Sequence, residues 1–414
     1  MNPIKKLYCR TFQTVLKLAI PFLPYRKPRI LTSEMEVPVV LNEKGISRVL
    51  LVTDHFLHNS GMIDPLKKVL ATNEITCIVY DETSSNPTIS NVEEARTLYL
   101  KHGCQGLIGF GGGSAMDCAK AVGARIARPN LSIRKMKGIL KILKPIPFLI
   151  AIPTTAGTGS ETTVATVITD DKSDHKFPIS DFPLIPRVAV LDPEVTHTLP
   201  AHITATTGMD ALTHAIEAYI GRSTTKDSRA NALKAAALIS ENLEAAYCDG
   251  DDMHARANMA KAAFLAGAAF SKSYVGYCHA VAHSLGGKYH TPHGLANAVL
   301  LPYVLESYGA SIYNKARDIA VAMHIVDESV PAEDATRRLI KHIRQINHRM
   351  EIPTKLPGIR KEDIPQLAAY AEKEANPLYP VPMLMTAQQL EQFYYDVMES
   401  KQPLYFDNAM EVSA

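Results

Sequence analysis

The chain has 414 residues and a mass of 45.4 kDa, more than one core of about 100–200 residues usually supports, so two domains with a cleft between them are expected. Its 46% hydrophobic and 21% charged residues are compatible with a folded chain and exclude a disordered one, while 44 Lys+Arg against 42 Asp+Glu leave no field to hold a polyphosphate backbone, so no nucleic-acid partner is expected. Six cysteines without CxxC spacing suggest neither a disulfide framework nor a thiolate zinc site and point to a reduced, cytoplasmic setting; no apolar run reaches the roughly 18–20 residues needed to span a bilayer.

Residues 1–35 read as a basic helical extension. Lys5, Lys6, Arg10, Lys17, Arg26, Lys27 and Arg29 precede the first acid, Glu34. Ile4, Leu7, Tyr8, Thr11, Val15, Leu18 and Phe22 recur at helical spacing, and Pro21 and Pro24 close the pattern. Lys17 interrupts the apolar stretch and no A-x-A-like site follows, which argues against a secretory signal. The expectation is a surface helix packed on the body of the protein, with weak peripheral contact to an anionic membrane through residues 1–30 as the alternative. No site residue lies before Asp54, so the extension is expected to be dispensable for chemistry.

Over 36–200, short β-branched runs at 47–54, 74–81, 104–113, 147–155, 164–170 and 187–192 alternate with helical stretches, which predicts an α/β domain with a mostly parallel, doubly wound sheet. Ligand groups in such sheets gather at the carboxyl ends of strands. The run Gly109-Phe110-Gly111-Gly112-Gly113-Ser114 follows one strand and opens a helix, where backbone N–H groups and the positive helix terminus can approach a pyrophosphate. A second loop, from Pro153 to Glu161 and including Thr154 and Thr155, follows another strand and is rich in hydroxyls. Two such loops suit a dinucleotide. An acid ending a strand can bind both ribose hydroxyls and repel a 2′-phosphate. Asp54 and Asp81 both qualify; ordinary dinucleotide-fold logic favours Asp81, although the glycines here follow the third strand and not the first.

From 201 to 414 Ala- and Leu-rich segments dominate, predicting an all-helical domain. Asp210 and His214 are four apart and share a helix face, as do His279 and His283. Gly286 and Gly287 are expected to interrupt that helix, so that the chain folds back and brings His293 toward His279. Asp210, His214, His279 and His293 are therefore a candidate site of nitrogen and oxygen donors, suited to Fe²⁺ or Zn²⁺ with room left for substrate.

The strings GGGSAMDCAKA, PTTAGTGSETT, GMDALTHAIEAY and CHAVAHSLGGKYHTPHGLANAVLLP give the chain a resemblance to the iron-containing (group III) alcohol dehydrogenases over about residues 36–414. The resemblance implies a dehydroquinate synthase-like architecture with a dinucleotide-binding domain over 36–200, a helical metal and catalytic domain over 201–414, and catalysis in the cleft. Carried over residue by residue, it makes Asp210, His214, His279 and His293 the metal ligands, Gly111, Gly112, Gly113 and Ser114 the pyrophosphate loop, and Thr154 and Thr155 the second cofactor loop. Lys176 matches a cofactor-contacting lysine, Asp54 rather than Asp81 matches the acid that favours NAD over NADP, and His283 matches the non-ligand histidine near the nicotinamide, suited to relaying a proton. The implied activity is NAD-dependent interconversion of a small or medium primary alcohol and its aldehyde, with one divalent ion, Fe²⁺ or alternatively Zn²⁺, in a homodimer. Phe270, Tyr274, Val275 and Tyr277, with Ala165, are expected to make the substrate pocket fairly apolar. Two alternatives are a polyol dehydrogenase of the glycerol, propanediol or lactaldehyde type and a catalytically silent membrane-associated NAD-binding protein. His293 as a fourth ligand favours the alcohol dehydrogenase branch, and the complete ligand set argues against a silent relative. NPLYPVP at 376–382 departs from the NPR of many relatives.

Overall fold

The computed structural model describes residues 1–172 and 175–399. Strands β1 (Arg29–Leu31), β2 (Arg48–Val52), β3 (Thr76–Tyr80), β4 (Gly106–Gly111), β5 (Gly138–Ile139), β6 (Phe148–Pro153), β7 (Ala165–Asp170), β8 (His175–Ser180) and β9 (Val188–Val190) form two sheets. The larger is all parallel, in the order β1-β9-β6-β4-β2-β3. A parallel sheet is covered on both faces, so its strands read as near-continuous apolar runs. Leu50, Leu107 and Leu149 accordingly point into one apolar layer and Leu51, Ile108 and Ile150 into the other, as the two-residue strand period requires.

Three local readings change. β1 lies inside the stretch read as an extension, yet pairs with β9 in the register Ile30↔Ala189; three residues are too few for a periodic signal. β7 leaves the main sheet and pairs antiparallel with β8, with β5 on the far side of β8. Pro178 hides β8 from a sequence reading, because proline cannot donate to a ladder.

Residues 201–397 hold only helices and their connections, with Ala201–Ile220, Lys226–Cys248, Met253–Ser273, Tyr277–Tyr289 and His293–Tyr308 sharing one apolar core. Small residues such as Ala211, Ala232, Ala236 and Ala262 are fully buried along their contacts, which permits close packing of helix backbones. The loop after β6 seats on this half. Gly159, at φ +63°, touches the helix Met253–Ser273 so closely that a Cβ on it would stand 2.6 Å from Gly267 Cα.

The N-terminal helix Pro3–Ala19, capped by the Asn2 side chain, is a surface helix packed on the body of the protein, and it docks through its polar side and not through its periodic apolar stripe. Cys9 and Gln13 are its buried residues, while the apolar stripe from Ile4 to Leu18 is exposed. Arg10 donates to the carbonyls of Val381 and Pro382 and Gln13 to those of Pro377 and Tyr379. The docking face is polar because its partner is a row of backbone carbonyls over 377–382.

Candidate active site

Three helices converge on a buried cluster. Asp210 and His214 lie one turn apart on Ala201–Ile220, His279 on Tyr277–Tyr289, and His293 opens His293–Tyr308; Gly286 and Gly287 do not interrupt the second of these helices, and the chain turns instead at His290, in the left-handed region at φ +56°. The last helix starts against Thr206: a Cβ on Gly294 would stand 2.4 Å from the Thr206 carbonyl oxygen. One ligating atom from each of Asp210, His214, His279 and His293 lies within 4.8 Å of the others. His214 Nδ1 is 3.9 Å from Asp210 Oδ2, His279 Nε2 is 3.8 Å from Oδ1 and His293 Nε2 is 3.4 Å from Oδ1. Those His214 and His279 nitrogens are buried without a hydrogen-bond partner, a costly state for a polar atom unless something fills it. Burial pushes His214 down, His279 well down and His293 to about 4, so the rings are neutral and offer lone pairs. A divalent cation fits this donor set, its charge, and its two orphaned atoms.

The surrounding groups orient these donors. Glu217, on the same helix face as Asp210 and His214, accepts from His279 Nδ1 at 2.6 Å and from the backbone N–H groups of Gly276 and Cys278 at 2.8 and 2.9 Å. It thereby caps the N-terminus of the His279 helix, where a negative group is favoured, although burial raises it to about 7. Asn297 Nδ2 donates to Asp210 Oδ1 at 2.7 Å. Phe270 stacks on His214 at 4.2 Å between ring centroids.

His283 stands beside the cluster, its ring 5.1 Å from that of His293. Its Nδ1 is 2.6 Å from Glu374 Oε1, which also accepts from the Tyr379 hydroxyl at 2.7 Å. Burial opposes charge on His283, but the Glu374 carboxylate outweighs it and raises the imidazole above its ordinary range. Lys176, on β8, lies close enough to act electrostatically on His283 and His293, and burial lowers its own pKa. Tyr277 departs from expectation: it is fully buried and bonds Asn376 and Met385 inside the helical half, so it does not line a substrate pocket.

On the other side, the chain goes outward from β2 to β3 and returns to β4, so a crevice opens between the carboxyl ends of β2 and β4, the usual ligand position in such sheets. Gly111, Gly112, Gly113 and Ser114 lie there, after β4. Thr154 N–H donates to the Gly111 carbonyl at 3.0 Å, Thr155 lies 3.7 Å from where a Cβ on Gly112 would sit, and Thr158 lies 2.9 Å from the equivalent point on Gly113. The two loops therefore form one surface. Ser114 Oγ is itself committed to the Ser85 carbonyl at 2.6 Å. Asp54 ends β2 and caps the next helix through Leu57 N–H at 2.9 Å, and its other oxygen lies 3.9 Å from the Cβ position of Gly111. Asp81, after edge strand β3, is held by His58 at 2.5 Å and His55 at 3.3 Å.

Sequence reasoning missed Glu217, Asn297, Glu374 and Lys120. The first two carried a signal: Glu217 is seven residues after Asp210 and Asn297 four after His293, both in helical phase. Glu374 carried none, since 91 residues separate it from His283. Lys120, fully buried, donates to Ser160, Thr163 and Ala165, while Asp117 accepts from Ser160 and Val167. This pair ties the helix after the glycines to the second loop; burial lowers Lys120 to about 8.

Residues 32–193 match the family described as iron-containing alcohol dehydrogenase, and residues 204–398 the Fe-containing alcohol dehydrogenase family, C-terminal. The chain is 38% identical over 340 residues to alcohol dehydrogenase 4 of Schizosaccharomyces pombe, covering 81% of this chain and 80% of that one. It is 34% identical over 341 residues to the NAD-dependent methanol dehydrogenase of Bacillus methanolicus, covering 81% and 88%. The crystal structure of a 1,3-propanediol oxidoreductase superposes with a TM-score of 0.86 at 33% identity, over 91% of this chain and 99% of that one.

Proposed function

We infer that this chain, which belongs to the iron-containing alcohol dehydrogenase family, interconverts a small or medium primary alcohol and its aldehyde with NAD as the hydride carrier. The observation that carries the reading is the pair of buried, unpartnered nitrogens of His214 and His279 facing Asp210, in a chain whose sheet also carries a glycine loop at the crevice between β2 and β4. Asp210, His214, His279 and His293 would hold Fe²⁺, or Zn²⁺ in its place. Bound there, the ion supplies Lewis acidity that makes an alcohol oxygen more acidic or a carbonyl more electrophilic.

The chain's own groups do the rest. Gly111, Gly112, Gly113 and Ser114, with Thr154 and Thr155, receive the pyrophosphate through backbone N–H groups and the helix terminus. Asp54 beside Gly111 binds ribose hydroxyls and repels a 2′-phosphate. Lys176 contributes positive charge to the cofactor side of the cleft. His283 has Nδ1 committed to Glu374, so it exchanges the hydroxyl proton at Nε2, between substrate oxygen and solvent. Phe270 presents an apolar wall against His214. A polyol substrate is the second reading, favoured by the polar Glu374 and Tyr379 pair behind His283.

The six cysteines are free, in keeping with a reducing compartment such as the cytoplasm. Among the described residues no helix is long and apolar enough to cross a membrane. Assembly as a homodimer is a family-based proposal that light scattering tests. The deciding assay for function is absorbance of reduced nicotinamide with primary alcohols and with glycerol, after anaerobic loading with Fe²⁺ or Zn²⁺. Butanol should exceed glycerol in kcat/KM; comparable values would favour the polyol reading, because a site built for hydroxyls loses heavily on analogues lacking them.

A further inference from the structure

The N-terminal helix is fastened to the protein by its polar side and turns its apolar side outward. Lys5 pairs with Glu372 at 2.6 Å, Arg10 and Gln13 bond carbonyls of 377–382, and Ser223 Oγ donates to the Gln13 carbonyl at 3.2 Å. At about 100° per residue, Ile4, Leu7, Tyr8, Val15 and Leu18 fall within an arc of about 100° on the far side. They are 77%, 69%, 60%, 61% and 67% exposed, and Phe22, in the turn that follows, is 88% exposed. Scattered surface apolar residues need no explanation, but a contiguous stripe does.

We propose that this stripe docks the protein on an anionic lipid bilayer. Charge selects the occupant. Lys6, Lys17 and Lys27 are exposed and make no ion pair among the described residues, and no acid precedes Glu34. By the same 100° per residue Lys6 and Lys17 stand about 130–150° from the middle of the stripe, at the border of the docked side, from where long side chains reach toward anionic headgroups while the apolar stripe enters the acyl boundary; the segment carries no acid that could make the same contact with a second copy. A second element borders the segment. Tyr25 packs edge-on against Phe182 at 5.0 Å, and Arg26 donates to the Pro183 carbonyl at 3.0 Å. The adjoining Asp181 accepts from the backbone N–H groups of Ile142 and Leu143 at 2.8 and 2.9 Å. That carboxylate holds a loop whose exposed Ile139, Leu140 and Leu143 alternate with exposed Lys141 and Lys144. Leu140 and Leu143 both adopt φ of +54°, a conformation uncommon for residues other than glycine.

The test is sedimentation of the full-length protein with vesicles of phosphatidylcholine alone and of equimolar phosphatidylcholine and phosphatidylglycerol. Binding to the anionic vesicles, weakening as salt rises, is expected. The triple variant Lys6→Gln, Lys17→Gln, Lys27→Gln should lower partitioning roughly a hundredfold, at about fivefold per lysine. Leu7→Ser, Val15→Ser, Leu18→Ser should abolish it with circular dichroism and Tm unchanged, since all three side chains are exposed. Failure of the wild type to bind, or equal binding to both vesicles, overturns the proposal. So does a wild-type dimer that the serine variant converts to monomer, which would assign the stripe to a second copy.

Discussion

Glu217 Oε2 stands 2.6 Å from His279 Nδ1, and this contact decides which nitrogen of the imidazole is available. With the Nδ1 proton donated to Glu217, Nε2 keeps a lone pair, buried and directed at the Asp210 carboxylate. Glu217→Gln retains the shape but replaces one acceptor oxygen by an NH₂ that faces donors. Affinity for Fe²⁺ or Zn²⁺ should fall about 10–100-fold, and Tm should fall too, because the carboxylate also caps the helix. Isothermal titration of the stripped protein with either ion measures the first effect; an unchanged Kd would mean that Glu217 does not orient the ligand.

The two strand-ending acids make opposite predictions. Asp54 lies against the glycine loop, whereas Asp81 is engaged by His55 and His58 on the edge strand. Asp54→Gly should therefore relax discrimination against NADP by at least about tenfold in the kcat/KM ratio, by removing a charge from where a 2′-phosphate would sit. Asp81→Gly should leave the ratio nearly as it was. The reverse pattern would restore the ordinary dinucleotide-fold assignment.

What the sequence makes legible here is whatever repeats along one element or follows directly from it. The parallel strands announce themselves because they are apolar on both faces, and Asp210 with His214, like His279 with His283, because helical phase sets each pair on one side of its own helix. β1 and β8 escape, one for brevity and the other for Pro178. The stripe from Ile4 to Leu18 misleads: periodicity finds an apolar face but carries nothing about the carbonyls of 377–382, which draw in Arg10 and Gln13 instead. For the same reason the extension is not simply separable from the site. Gln13 bonds the Tyr379 carbonyl while the Tyr379 hydroxyl bonds Glu374, a chain of contacts spanning 366 residues that no local pattern displays.

Glu34 predicts a pH dependence of stability. Burial, reinforced by Asp192, raises it from the ordinary 4.5 to about 7, and its Oε2 has no hydrogen-bond partner. A folded-state pKa above the unfolded one means that the protonated form is the one folding favours. Its contribution is complete below about pH 4.5 and is lost as pH rises through about 7. Between those limits the wild type should lose about 2–4 kcal/mol relative to Glu34→Gln. Parallel urea titrations of both proteins across the range check this; curves that keep a constant separation would show that Glu34 ionises normally.

Metal and dinucleotide should bind largely separately, since Asp210, His214, His279 and His293 belong to the helical half and the loops at 111–114 and 154–155 to the α/β half. Chelation should abolish turnover while NAD still binds, as read by calorimetry. His279→Ala should behave like the chelated protein, because its Nε2 has no other task. His283→Ala should differ. His283 bonds Glu374 and stacks on His293, so its loss should leave metal content stoichiometric and lower kcat by about 10²-fold or more, the usual range for a proton-transfer group. Glu374→Gln should give a smaller loss in kcat with a downward shift of the pH profile, since the carboxylate raises the imidazole. Elemental analysis of the purified variants decides the assignment. Should His283→Ala emerge free of metal while His293→Ala keeps both its ion and its activity, the fourth ligand is His283, and the stacked pair have exchanged roles.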